Sequence, residues 1–258
     1  MGFSLQNLEY EKIKALFCDF PNLLNKNFEV RMKKALSVLH FAYLWGACRE
    51  AEKALIKYKK DDLYEFIMQL YRKRIKTHQA NFLLLHCFEN ALRSTLCVKI
   101  ANFYNKDNGD SWFIDQTSNS SSPKIVTKLL QRRKKHLKNK KAKNSWEIFD
   151  CFYLRDLEDI ISSHWDIFAP IFKDKKIYKG EELPCYGTKE HLLTKLSQIR
   201  QARNEIFHNK STKMKFRKEL EILLLRLDYY LEDAIKIGEI STGINLKYNY
   251  KQQYINEL

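Results

Sequence analysis

The sequence predicts an all-α fold. Sheets and barrels need turn residues at short intervals, and these 258 residues contain only 7 glycines and 4 prolines. Apolar residues recur instead every three or four positions through long stretches, the spacing of one helix face. With 45% hydrophobic and 13% aromatic residues the chain is able to build a core, and its length admits one large domain or two small ones.

Taken in order, residues 28–60 read as a helix, with Val30, Ala35, Leu36, Leu39, Phe41, Leu44 and Ala47 at mixed helical spacing. Asp61 or Asp62 is placed to cap a second segment through Leu63, Phe66, Ile67, Leu70 and Ile75. A third helix, about 79–104, carries the cleanest stripe of the first half: Phe82, Leu85, Phe88, Leu92, Leu96 and Ile100. Residues 105–122 break the pattern with turn and serine-rich chemistry. Ser122-Pro123 then suits the start of a helix that becomes intensely basic over 124–143, with no acid among its lysines and arginines. Two helical pieces follow in the aromatic region 146–172, divided near Arg155-Asp156, and their aromatics read as core. Residues 173–188 read as a loop. Thr188 can cap the next helix, which Asn209 to Thr212 can end. A last helix repeats Leu220, Leu223, Leu224, Leu227, Tyr230 and Leu231. The domain reading is an N-terminal helical extension (1–60), a helical bundle (61–237, with a loop and basic insert at 105–145) and a polar tail (238–258).

A formal net charge of +15 favours a polyanionic partner, whether RNA, DNA, an acidic protein or an anionic membrane, although abundant lysine alone would give the same sum. Six cysteines show no Cys-x-x-Cys spacing and no accompanying histidine cluster, so no metal or other cofactor is expected. They read as reduced and mostly buried, in a cytoplasmic protein without a leader or membrane span. Within the basic run, Lys128, Arg132, Arg133, Lys134, Lys135 and Lys138 are the candidates for gripping RNA phosphates, unless the run is merely a solvated loop.

The segment richest in chemistry is Arg203-Asn204-Glu205-Ile206-Phe207-His208. Arginine holds its charge at any physiological pH, and histidine is the residue type that titrates near neutrality. On a helix advancing about 100° per residue, Ile199, Ala202 and Ile206 share roughly a 60° sector. Arg203 falls about 40° from Ile199, toward the apolar side, where a cation needs a partner. Glu89 supplies one: it sits about 40° from Leu85 on the third helix, inside the buried stripe. Arg93, one turn on, offers a second cation at that edge. Arg200, Asn204 and His208 are spaced by four and form a polar stripe. Asn204 can bond an imidazole nitrogen or a phosphate oxygen.

These residues resemble the HEPN domains (higher eukaryotes and prokaryotes nucleotide-binding), most of all their abortive-infection (Abi-like) branch. The arginine, the asparagine after it and the histidine five residues on match that superfamily's motif. Phe88-Glu89-Asn90-Ala91-Leu92-Arg93 is similar to its acidic helix, and Leu154-Arg155-Asp156-Leu157-Glu158-Asp159-Ile160-Ile161 to the stretch between. The resemblance covers about residues 60–235. It implies a HEPN-type helical bundle with extra helices and a basic insert, acting as a metal-independent endoribonuclease. The setting it implies is a toxin or phage-defence effector working as a homodimer; whether its antitoxin is a protein, a small RNA or absent stays open. His208 would move a proton, Arg203 would stabilise charge on phosphorus, Asn204 would position one of them, and Glu89 would orient Arg203. Lys210 stands where some members carry a modifiable tyrosine. Two other readings remain open: a non-catalytic HEPN-type RNA- or protein-binding module, and a helical scaffold whose Arg203–Glu89 pair is structural.

Overall fold

A computed structural model describes residues 4–105, 109–110, 112, 125–126, 128–129, 144–210 and 212–236. Among these residues the fold is all-α, with ten bounded α-helices, a short 3-10 helix at Pro21–Leu23 and one two-stranded hairpin. The chain divides into two compact units. The first ends at Asn81 and takes in His208–Ser211, and the second holds Phe82–Phe207 together with the chain from Thr212 on. This division lies inside a helix.

The first unit opens with α1 (Leu5–Leu16), whose Ser4 cap accepts from the Asn7 amide, and α2 (Lys26–Val38), capped in the same way by Asn25. Next comes α3 (Phe41–Leu55). The single helix expected over 28–60 is therefore two, parted at Leu39, whose backbone is extended. The reason lies in the phase of the apolar residues. On one straight helix Phe28, Met32 and Ala35 would lie on nearly the opposite side from Leu44, Ala51 and Leu55, about 150° away. The break lets both sets enter one core, where Met32, Leu44, Ala47 and Ala51 are fully buried with Ile13 and Phe17 of α1 and its end.

Asp62 caps the long α4 (Leu63–Tyr104), its carboxylate accepting from the Glu65 amide at 3.0 Å. The boundary expected between 75 and 79 does not occur. That stretch has no glycine or proline to stop a helix, and Thr77 satisfies itself on the Lys73 carbonyl.

In the second unit, α4 from Phe82 onward buries Leu84, Leu85, Phe88, Leu92, Leu96 and Ile100. Three short helices come next: α5 (Ser145–Asp150), α6 (Leu154–Ser163) and α7 (Trp165–Lys173). The sequence pattern predicts two pieces here. The chain breaks before Leu154 and again at His164, and Pro170 lies inside α7. Phe149, Phe152, Phe168 and Phe172 are core, whereas Trp146 stays half exposed. The segment expected as plain loop holds a small hairpin, β1 (Ile177–Tyr178) and β2 (Glu181–Glu182). Lys179 and Gly180, both at positive φ, make its two-residue turn.

Thr188 caps α8 (Lys189–Phe207), accepting from the His191 amide, and Asn209 closes it in the left-handed region (φ 54°). Instead of one last helix there are α9 (Arg217–Arg226) and α10 (Leu231–Lys236), with Asp228 at positive φ between them. In the second unit α6 packs on α7 and α8, and α7 on α8 and α9.

Half of the cysteines are buried, fewer than expected: Cys48, Cys87 and Cys97, against exposed Cys18 and Cys185 and a half-buried Cys151, all of them free. Burial pushes the Cys48 and Cys97 thiols up to about 12. No described helix is long and apolar enough to cross a membrane.

Candidate active site

The site grows from two helices of the second unit. On α8, Leu192, Leu196, Ile199, Ala202 and Ile206 are buried and fix which way the helix faces. Arg203 lies beside that stripe and is half buried, its side chain 27% exposed. On α4, Glu89 is carried into the core edge by Leu85, Phe88 and Leu92, and is only 7% exposed. A carboxylate buried this far needs compensating charge.

Two arginines supply it. Arg203 Nε donates to Glu89 Oε2 at 3.1 Å, and Arg93 Nη2 donates to Glu89 Oε1 at 3.1 Å. Each carboxylate oxygen thus receives one guanidinium. Arg93 is itself held on the Phe152 carbonyl (3.1 Å) and on Asn90 Oδ1 (3.3 Å). Arg203 lies over the Phe207 ring at 4.1 Å, and Phe207 stacks on Phe82 with ring centroids 4.3 Å apart. A guanidinium clamped at its Nε edge and stacked on a ring loses most of its rotational freedom. Of its terminal nitrogens, Nη1 reaches Asn204 Oδ1 at 3.4 Å, and Nη2 has no partner among the described residues. Arg203 is therefore oriented, charged and open at its tip.

Asn204 is exposed next to it. His208 is exposed and follows the last residue of α8, in the turn that Asn209 closes. It is assigned with the first compact unit, whereas Arg203 and Glu89 belong to the second. Asn209 there bonds His78, whose Nδ1 lies 2.6 Å from the Tyr43 hydroxyl.

The stripe of Arg200, Asn204 and His208 needs correcting at its first member. Arg200 is half buried, donating to Glu158 Oε1 at 2.7 Å and to Ser197 Oγ at 3.2 Å. Glu158 is 4% exposed, and burial pushes its carboxyl up against the opposing pull of Arg200. Sequence spacing does not reveal this pair, because the partners lie on α6 and α8, 42 residues apart. The one available signal is an acid, Glu158, immediately after the buried Leu157 on a strongly amphipathic helix.

A hydrogen bond that spacing could have suggested extends the network further. His86, Asn90 and Arg93 succeed one another at intervals of four and three on α4. Asn90 Nδ2 lies 3.1 Å from His86 Nε2.

Of the residues expected to grip RNA, Lys128 is exposed on a helical stretch whose Val126 and Leu129 are buried. Arg132, Arg133, Lys134, Lys135 and Lys138 lie outside the described residues. Among the described residues no three His, Cys, Asp or Glu side chains gather as a metal site would require. Comparison with protein-family models, with curated proteins and with solved structures finds no match.

Proposed function

We propose that this protein is a metal-independent, HEPN-type endoribonuclease, acting as a toxin or phage-defence effector. The observation that carries the reading is Glu89 shared between Arg93 and Arg203, which leaves the Arg203 tip open. Phosphoryl transfer asks for a preorganised cation where charge develops. Arg203 is half exposed, and its open terminal nitrogen can be offered to a ligand.

In the proposed reaction the ribose 2′-oxygen attacks phosphorus while a base takes its proton. The bond from phosphorus to the 5′-oxygen breaks, and that oxygen takes up a proton. The products are a 2′,3′-cyclic phosphate and a 5′-hydroxyl. His208 carries the proton, Arg203 stabilises charge on the phosphoryl oxygens, and Asn204 positions the arginine tip or the phosphate. Glu89 and Arg93 hold Arg203 in place. The resemblance in the motif suggests that two copies of the chain contribute Arg203 and His208 to one composite site in a homodimer. RNA is the substrate, and the basic run from Lys128 onward is the proposed grip on its backbone.

The test is incubation of the purified protein with RNA in EDTA, beside Arg203→Ala and His208→Ala. Cleavage by the wild type and loss in both variants is expected. Absence of cleavage by the wild type, or equal cleavage by all three, removes the enzyme reading.

A further inference from the structure

The polar network around Arg203 contains a second histidine that the motif does not mention. α4 and α8 are joined at two levels within the second unit: Phe82 on Phe207, and Glu89 on Arg203. These pairings run antiparallel, 82 with 207 and 89 with 203. His86 falls between them on α4, one turn past Phe82 and one turn before Glu89 and Asn90. On a helical projection Phe82, His86, Glu89, Asn90 and Arg93 lie within a sector of about 100°. His86 occupies the exposed part of that sector.

Its tautomer is set by its neighbours. Arg93 Nη1 donates to Asn90 Oδ1, which fixes the orientation of the Asn90 amide. The amide nitrogen must then be the atom facing His86, and it can only donate. His86 Nε2 therefore accepts, with its lone pair directed at Asn90 Nδ2 3.1 Å away. The ring proton resides on Nδ1, which has no hydrogen-bond partner among the described residues. An imidazole whose lone pair is engaged and whose N–H is free is a hydrogen-bond donor. It is poorly placed to act as a base.

Building on the ribonuclease reading, we propose that His86 donates its Nδ1–H to a non-bridging oxygen of the phosphodiester that Arg203 holds. The two histidines then have different jobs. His208 transfers the proton, and His86 binds the phosphoryl oxygen without changing its own protonation. No bond to His86 forms or breaks. The same Arg93 that braces Glu89 also sets the His86 tautomer through Asn90, so one half-buried guanidinium orients both donors to the phosphate.

The experiment pairs His86→Leu with His86→Asn. Asparagine places an amide N–H near the position of Nδ1–H, and leucine places none there. His86 is exposed, so both variants should fold, which thermal unfolding checks. Cleavage in EDTA is followed from pH 5 to 9. The expected result is a loss of about tenfold in kcat/KM for the leucine variant, the scale of one exposed donor, with rescue to within about threefold by asparagine. Wild-type rates in both variants overturn the proposal, and so does loss of one limb of the profile, which would make His86 a proton carrier.

Imidazole nitrogen NMR supplies a readout independent of cleavage. The His86 signal should report the Nδ1–H tautomer and should move on addition of a 2′-deoxy dinucleotide, which cannot be cut. If the wild type cuts no RNA yet that signal moves, the nuclease reading fails while the phosphate contact stands. An unmoved signal, or the Nε2–H tautomer, overturns the contact.

Discussion

Two arginines of the second unit, Arg203 and Arg226, differ in a way that separates a structural cation from an available one. Arg226, at the end of α9, is 1% exposed, and each of its five N–H groups has an acceptor. Nε donates to the Pro184 carbonyl at 2.7 Å, Nη1 to those of Ile171 and Asp174, and Nη2 to those of Asp174 and Leu183. Its acceptors are all backbone carbonyls, and burial pushes its pKa down. Arg226 thereby ties α9 to the end of α7 and to the loop around the hairpin. Arg203 has a carboxylate instead, one further contact to Asn204, and an open tip. A closed set of acceptors fixes backbone, whereas an open terminal nitrogen on a half-exposed guanidinium leaves charge for a ligand.

The comparison breaks most readily at Arg226. Arg226→Leu should destabilise the protein by about 3–5 kcal/mol, because several buried carbonyls lose this donor. Urea unfolding checks this, and cleavage per folded molecule should be unchanged. Arg203→Ala should reverse the pattern, with stability lowered by about 1–3 kcal/mol, less than at Arg226 because Arg93 still pairs with Glu89, and RNA cleavage reduced about 100- to 1,000-fold. A large stability loss with no change toward RNA would put Arg203 in the same class as Arg226 and favour the scaffold reading. If salt-sensitive RNA binding persists in His208→Ala while the wild type cuts nothing, the non-catalytic binding module is favoured.

Glu89→Gln sharpens the contrast on a smaller scale. It keeps one acceptor and the shape but removes the charge shared by two arginines. Cleavage should fall by about tenfold with stability lower by about 1–2 kcal/mol, as a cleavage assay and urea unfolding would show.

The smallest effect expected is in the pH dependence of stability. Burial lowers the pKa of His164, against the opposing pull of the Ile160 carbonyl. It lowers that of His78 as well, where the Asn209 bond opposes and His40 adds to the shift. Both groups bind a proton less readily folded than unfolded. Their stability contribution is therefore complete above the unfolded value, about 6.5, and is lost as pH falls through the lower folded value. The urea midpoint should drop between pH 7.5 and pH 5, and His164→Gln should flatten that drop. Neither ring is part of the Arg203 network, so the cleavage profile should be indifferent to His164→Gln.

Much of the second unit's site was legible because its signals are local. Ile199, Ala202 and Ile206 mark the buried side of α8, and Leu85, Phe88 and Leu92 that of α4, so the misplaced Arg203 and Glu89 stand out as a pair. Asp62, Thr188 and Asn209 announce helix ends by their own capping chemistry. Breaks set by packing are harder to see. The division at Leu39 comes from two apolar stripes out of phase, and the split after α9 involves a left-handed Asp228 that no glycine advertises.

The sequence by itself determined that the chain is helical, where α4 and α8 begin, and that Glu89 and Arg203 share a need for a partner. Those properties depend on residues within a turn or two of one another. Only the tertiary structure decided that Arg200 pairs with Glu158 and that carbonyls from two segments close around Arg226. Such outcomes depend on which surfaces meet across tens of residues, and on whether each donor finds its last acceptor. Periodicity along the chain carries no record of either.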